Sequence, residues 1–184
     1  MVRIKLNLLK QEIAKYIGVP YFTNIPPQKL TKPEPVLVGK GSAKEIALKT
    51  IELANSQNLK LTDLTPEEIY NFQKKNQVGI DCSGLACQLL NFILKKELLP
   101  VTQTSADMLT SLPLSHQVKI DNIQTGDLVR QNNGHHVLFV IEKNNDTIFY
   151  VHSSSLGRGV RYGEFNLQQP NIPIDGIFRL KQLS

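Results

Sequence analysis

The sequence has no long apolar segment. None of its runs approaches the about 18 consecutive apolar residues of a membrane-spanning helix, and its start lacks the apolar core and cleavage site of a secretion signal. Residues 4 to 16 instead combine apolar residues at helical spacing with interspersed lysines, which predicts an amphipathic helix. We therefore expect a protein that is synthesised in the cytoplasm without a signal peptide and has no membrane partner. Any export would then follow a route other than the general secretory one.

Cysteine is scarce as well. The chain has two, Cys82 and Cys87, which lie five residues apart in a segment with helical periodicity. That spacing puts them on different faces of one helix, so they are poorly placed to form a disulfide with each other. We expect two free thiols, as is usual in a reducing compartment.

Repeats and low-complexity tracts are also missing. The 184 residues, 41% hydrophobic and 20% charged, are typical of a soluble globular protein with a sizeable core. The net charge of +5 would suit an acidic partner, but the lysines are dispersed and no basic stretch is interleaved with aromatic residues. We expect a single domain over residues 1–184 and no nucleic-acid partner.

The most informative motif is Asp-Cys-Ser-Gly at residues 81–84, followed by an apolar helical pattern. Asp81 is a preferred N-cap residue, which places Cys82 in the first helical turn. There the unpaired backbone amides favour a reactive thiolate. The amides of Cys82 and Ser83 are candidate oxyanion donors, and Gly84 leaves room for a substrate backbone. The Ser83 side chain is interpreted as a local hydrogen-bonding group.

A nucleophilic thiol needs a base and a group that orients the base. The run that starts at His136 is rich in β-branched and aromatic residues and predicts a buried strand, and Asn144 to Asp146 predict the turn to a returning strand that ends at His152. A tight hairpin pairs residues near 136 with residues near 152. Since side chains alternate along a strand, only one of His135 and His136 can face the cysteine.

These residues resemble the NlpC-like cell-wall cysteine peptidases, which are papain-like and share chemistry with the CHAP amidases. The resemblance covers most of the chain after residue 77. It rests on five segments in order: Asp-Cys-Ser-Gly at 81–84, Leu99-Pro100 with Thr102 to Ser105, Gly-Asp-Leu-Val at 126–129, His136-Val137, and Val-His-Ser-Ser at 151–154.

The resemblance implies a papain-like core with N-terminal helices packed on a small antiparallel sheet. It makes Cys82 the nucleophile, His136 the general base and acid, and His152 the residue that orients His136. The implied activity is hydrolysis of amide bonds in peptidoglycan stem peptides through a thioester, with no cofactor. The substrate carries carboxylates, so Arg158 and Arg161 are candidate contacts; the alternative is that both are ordinary surface arginines.

Upstream, Ile17 to Tyr21 resemble the family's Gly-Val-Pro-Tyr segment. Tyr21 is then the tyrosine beside the nucleophile, and a helical insertion occupies about residues 22–77. Tyr70 is the rival candidate for that tyrosine. The chain departs from the family pattern in lacking a Gly-Gly pair and in having Leu138 where a glycine usually follows His-Val, which predicts a cleft of different shape.

Helices come first along the chain and strands follow, which predicts the α+β class. Residues 18–41, rich in proline, predict an extended connection. Capping boxes at Ser42 with Glu45 and at Thr65 with Glu68 predict the next two helices. The predicted helices are 4–16, 42 to about 55, 65 to about 74, 82–96 and 105–112, and the predicted strands are 118–120, 128–131, 136–143, 147–152, 159–162 and 174–180.

Other interpretations of the same residues stay open. The histidines could be a core pair or, with Cys82 and His135, a metal site, although adjacent histidines on opposite strand faces do not match the usual spacing of zinc ligands. Asp127 is interpreted as a turn residue. Alternatives to a cell-wall hydrolase are an effector-type protease, a deamidase or acyltransferase acting on a protein partner, and a catalytically idle binding module.

Overall fold

The computed structural model describes residues 5–22 and 34–184. Side chains define where the longer helices begin: Ser42 and Glu45 form one capping box, Thr65 and Glu68 form another, and the carboxylate of Asp81 accepts the amide of Gly84. The helices are α1 (Leu6–Ala14), α2 (Ala43–Ser56), α3 (Pro66–Lys75), α4 (Cys82–Leu94) and the short α5 (Ala106–Leu109). Within the described ranges, no helix is long and apolar enough to cross a bilayer.

The second half of the chain forms one six-stranded antiparallel sheet. Its strands are β1 (Ser115–Val118), β2 (Leu128–Gln131), β3 (His136–Asn144), β4 (Thr147–Ser154), β5 (Gly159–Asn166) and β6 (Gly176–Leu180), in the spatial order β1-β6-β2-β3-β4-β5. The central β3 therefore lies between β2 and β4.

The main hydrophobic core lies between α4 and one face of this sheet. Alternation along β3 sends Val137 and Phe139 to the α4 side, where they join Leu85 and Leu89. Leu138 on the other face belongs to a second, smaller cluster. α4 packs against β3 and β4, and its first residue, Cys82, contacts His135 just before β3.

The predicted α+β class is confirmed, and most predicted elements are found. Both capping boxes are present, and β2 has the predicted bounds. The prediction of a strand over 118–120 is wrong: β1 ends at Val118, and Ile120–Asn122 form a 3₁₀ turn. β1 lies at the edge of the sheet and pairs with β6, and its polar sequence does not indicate a strand. Part of the predicted extended connection, residues 23–33, lies outside the described ranges, and Pro35–Val38 form a 3₁₀ turn.

The predicted hairpin turn is present, but its register differs by two residues. Asn144 pairs with Thr147, Phe139 pairs with Val151, and a bulge interrupts the ladder between Val140 and Glu142. His136 is therefore not directly opposite His152. A shift of two residues keeps a side chain on its original face, so the two histidines remain diagonal neighbours on one face of the sheet.

Candidate active site

A buried lysine fixes the start of α4. The Nζ atom of Lys40, which is 2% exposed, lies 2.8 Å from the Asp81 carboxylate and donates to the Ser83 hydroxyl at 2.5 Å. The amide of Asp81 donates to the carbonyl of Gly39 at 2.9 Å, which ties the same segment to the helix through the backbone. Lys40 could not be predicted as part of this site, because no local pattern links a lysine to a motif 41 residues later.

Gly84 serves this packing rather than the substrate. A Cβ atom at Gly84 would lie 2.4 Å from the carbonyl oxygen of Gly39, which is a steric clash with backbone. The prediction that Gly84 leaves room for a substrate backbone is therefore wrong, since Gly39 occupies that space. Ser83 has the predicted local role, because its buried hydroxyl contacts Lys40 and Asp81.

Cys82 lies in the first turn of α4, against the backbone on both sides of His136. Its Sγ atom is 4.0 Å from the carbonyl oxygen of His135, and the amide of Val137 also interacts with the thiol. No hydrogen bond among the described residues joins Cys82 directly to the His136 ring. Asp81 caps the amide of Gly84. The amides of Cys82 and Ser83 therefore remain at the open end of the helix, where the first amides have no helical partner.

The two histidines form a hydrogen-bonded pair. The Nε2 atom of His136 lies 3.0 Å from the Nδ1 atom of His152, and the rings meet edge to face. His152 is 8% exposed, and Tyr150 packs edge-on against it. The predicted proximity of the two histidines is present, although the strand register differs from the predicted one.

The charge states differ from the predicted thiolate. Burial and the neighbouring Asp81 carboxylate raise the pKa of Cys82 to about 11, although the amides of Val137 and Ser83 and the charge of Lys40 act in the opposite direction. Burial lowers the pKa of His136. Burial, then the positive charges of His136 and Arg161, lower the pKa of His152 to about 4. The described state therefore contains a neutral thiol and two neutral imidazoles at neutral pH.

A cleft of about 400 Å³ opens onto Cys82. Of the two candidate tyrosines, Tyr21 lines this cleft and Tyr70 does not. The lining residues are Tyr21, Lys40, Asp81, Cys82, Ser83, Thr104, Ser105, Ala106, Asp107, Gly134 and His135. Backbone hydrogen bonds hold the segment that leads to Tyr21. The amide of Gly18 donates to the carbonyl of Val160, and the amide of Ile80 donates to the carbonyl of Pro20.

The two candidate arginines have different surroundings. Arg158 forms an ion pair with Glu67, and its guanidinium lies 5.3 Å from the centre of the Tyr70 ring, so it joins the β4–β5 connection to α3. Arg161 is opposite His152 on β5, and its Nε atom donates to the Nε2 atom of His152 at 3.3 Å. Neither arginine lines the cleft at Cys82.

The remaining candidates have structural surroundings. Cys87 is fully buried in the core. Asp127 accepts the amide of Gln124, as expected of a turn residue, and forms a buried ion pair with Arg179. Among residues 5–22 and 34–184, no group of three or more histidine, cysteine, aspartate or glutamate side chains is placed to hold a metal ion.

No protein-family model matches this chain, and no curated protein or solved structure shows significant similarity to it. The likeness to the NlpC-like peptidases and the extent of the insertion therefore remain predictions based on the residues quoted above.

We predict that Lys40→Met weakens folding strongly. The substitution leaves the buried Asp81 carboxylate without its ion-pair partner, which typically costs about 3–5 kcal/mol. Urea unfolding measures the loss. The control is Lys44→Met, an exposed lysine on the adjacent helix, where we expect a change within about 0.5 kcal/mol. A loss for Lys40→Met as small as that of the control would contradict the assigned role.

We also predict an acid-dependent loss of stability that involves His152. Its pKa is about 4 in the folded protein, below the ordinary histidine value, so the unfolded chain binds a proton first as the pH falls. The free energy of unfolding therefore decreases from about pH 6.5 towards pH 4, with a contribution of up to about 3 kcal/mol from this group. Unfolding curves of wild type and His152→Asn over this range should show a shallower decrease in the variant. Parallel curves would exclude a protonation-sensitive His152.

Proposed function

We propose that this protein is a cysteine amide hydrolase with a papain-like core that acts on peptidoglycan stem peptides. One observation carries the proposal: Cys82, at the start of a helix, lies against the backbone on both sides of His136, whose far ring nitrogen is hydrogen-bonded to His152. Thiol hydrolysis requires a nucleophile, a base and a group that orients the base, and Cys82, His136 and His152 are our candidates for these three roles.

The proposed mechanism uses the second ring nitrogen of His136. Nε2 of His136 is hydrogen-bonded to His152, so we assign Nδ1 as the acceptor of the cysteine proton. The proton moves from Sγ to Nδ1, and the thiolate attacks the carbonyl carbon of the scissile amide. The amides of Cys82 and Ser83 are then the donors available to the oxyanion.

Hydrolysis follows from the same groups. The carbon–nitrogen bond breaks as the proton on Nδ1 of His136 passes to the leaving amine, which leaves a thioester on Cys82. His136 then takes a proton from a water molecule, and the resulting hydroxide attacks the thioester. The acid product leaves, and the proton on His136 returns to the Cys82 thiolate. Burial of His152 supports its orienting role, because its ring has little freedom to turn.

The substrate class rests on the resemblance, supported by the surroundings of the site. The cleft is polar and carries Tyr21 at its wall, which suits a peptide backbone rather than an apolar ligand. The net charge of +5 favours an anionic substrate, and stem peptides carry carboxylates. Arg158 and Arg161 remain candidate contacts for those carboxylates outside the cleft itself.

A second candidate is a site that works only with a partner. Cys82 is 7% exposed and its pKa is raised, so the described state is a poor nucleophile. That favours a deamidase or acyltransferase switched on by a protein partner, or an idle binding module, over a constitutively active lysin. Turnover of soluble muropeptides by the isolated protein supports the hydrolase and excludes the idle module.

We predict that Cys82→Ala reduces turnover of soluble muropeptides by at least about 10³-fold, because the nucleophile is lost while the fold is retained. Chromatography of the released fragments measures turnover, and thermal unfolding checks that the variant is folded. The matched control is Cys87→Ala, which removes a thiol buried in the core of the same helix; we expect activity per folded molecule within about threefold of wild type. Equal losses in the two variants would refute Cys82 as nucleophile.

A further inference from the structure

Arg161 makes an unusual contact for a residue beside a catalytic pair. It lies directly opposite His152 in the β4–β5 ladder, and its Nε–H donates to the Nε2 atom of His152. A guanidinium stays protonated at all ordinary pH values and can only donate hydrogen bonds. The Nε2 atom of His152 must therefore accept.

That requirement passes from one ring to the next. A neutral imidazole carries one proton, so His152 has its proton on Nδ1, which lies 3.0 Å from the Nε2 atom of His136. His152 then donates and His136 accepts at Nε2. The single proton of neutral His136 is consequently on Nδ1, the nitrogen that must be vacant to take the proton from Cys82.

We propose that Arg161 is a positioning residue that holds the histidine pair in the tautomer opposite to the one needed for catalysis. The catalytic tautomer has His136 donating from Nε2 to Nδ1 of His152, which puts the proton of His152 on Nε2. The Nε–H of Arg161 and the Nε2–H of His152 would then be two donors facing each other. Forming the reactive pair therefore requires the Nε–H of Arg161 to leave His152.

The surroundings of Cys82 fit a blocked base. With Nδ1 of His136 already protonated, the thiol proton has no place on the ring, and the acceptor that Sγ approaches is instead the carbonyl oxygen of His135, at 4.0 Å. The raised pKa of Cys82 agrees with a resting thiol. Misplacement of one imidazole proton is a large effect, since the wrong tautomer in a serine triad costs about 10⁴-fold in turnover.

Arg161 is placed to be drawn away by an anion. The residue is exposed, and no hydrogen bond or ion pair within the described ranges uses its terminal guanidinium nitrogens. A carboxylate binds a guanidinium through two parallel hydrogen bonds, which reorients the planar group. Resting on the proposed function, the inference is that a substrate carboxylate reaching β5 releases His152 and so activates Cys82.

The direct test is the tautomer itself. Long-range proton–nitrogen NMR correlations at about pH 7.5 distinguish a proton on Nδ1 from one on Nε2 in each ring. We expect Nδ1–H for both His136 and His152 in wild type, and a shift towards Nε2–H in Arg161→Met. A wild-type His152 protonated on Nε2, or identical spectra in the variant, overturns the proposal. This readout needs no turnover, so it can succeed even if the proposed function fails.

The rate of Cys82 alkylation by iodoacetamide, followed by mass spectrometry, gives a second test with a distinctive sign. Removing a positive charge should disfavour a nearby thiolate and slow alkylation. Release of the tautomer predicts the reverse, an increase of about tenfold or more at pH 7 in Arg161→Met. Lys143→Met, which removes a charge from β3 without a contact to either histidine, is the control and should not accelerate alkylation. An unchanged or slower rate in Arg161→Met overturns the proposal.

The substrate class has its own experiment. Two stem peptides are used, one with free side-chain carboxyl groups and one with these groups amidated. The rate at which each peptide is cleaved is measured for wild type and for Arg161→Met. We expect wild type to cleave the free acid at least about tenfold faster, and the variant to lose this preference. An equal preference in both proteins overturns release by a carboxylate, whereas no cleavage of any peptide by either protein refutes the proposed function.

Discussion

The buried contact of Lys40 with Asp81 is the interaction on which the site depends. A lysine with 2% exposure is stable only because its charge meets the Asp81 carboxylate and the Ser83 hydroxyl. The same carboxylate caps α4 through the amide of Gly84. One ionic cluster thus joins a segment 41 residues upstream to the helix start and fixes Cys82 against the first residues of β3.

The second constraint is the direction of the hydrogen bonds that link Arg161, His152 and His136. Each neutral ring has one donor and one acceptor, so the contact at one end sets the proton position at the other. Burial keeps both rings neutral, which makes the constraint effective at physiological pH. In the described state Cys82 is therefore a buried thiol beside two neutral imidazoles. Under our proposal, the reactivity of Cys82 depends on which group donates a hydrogen bond to His152.

The sequence predicted what local signals encode. Capping boxes gave the starts of α2 and α3, apolar periodicity gave α4, and alternation with an Asn-Asp turn gave the β3–β4 hairpin. It could not predict Lys40 or the contact of Arg161 with His152, because both depend on pairings between segments with no shared pattern. The register error arose because the turn lies at Asn145 and Asp146, and the bulge between Val140 and Glu142 then shifts the register back by one residue. Burial of Cys82, which opposes a thiolate, depends on tertiary packing and has no local signal in the sequence.

We propose that Cys82 is coupled to Arg161 through His136. The rate of Cys82 alkylation at pH 7 in wild type, Arg161→Met, His136→Ala and the double variant tests this coupling. We expect Arg161→Met to accelerate alkylation when His136 is present and to have no accelerating effect when His136 is absent, since the tautomer acts only through that ring. Equal acceleration in both backgrounds would contradict the coupling, and so would its absence in both.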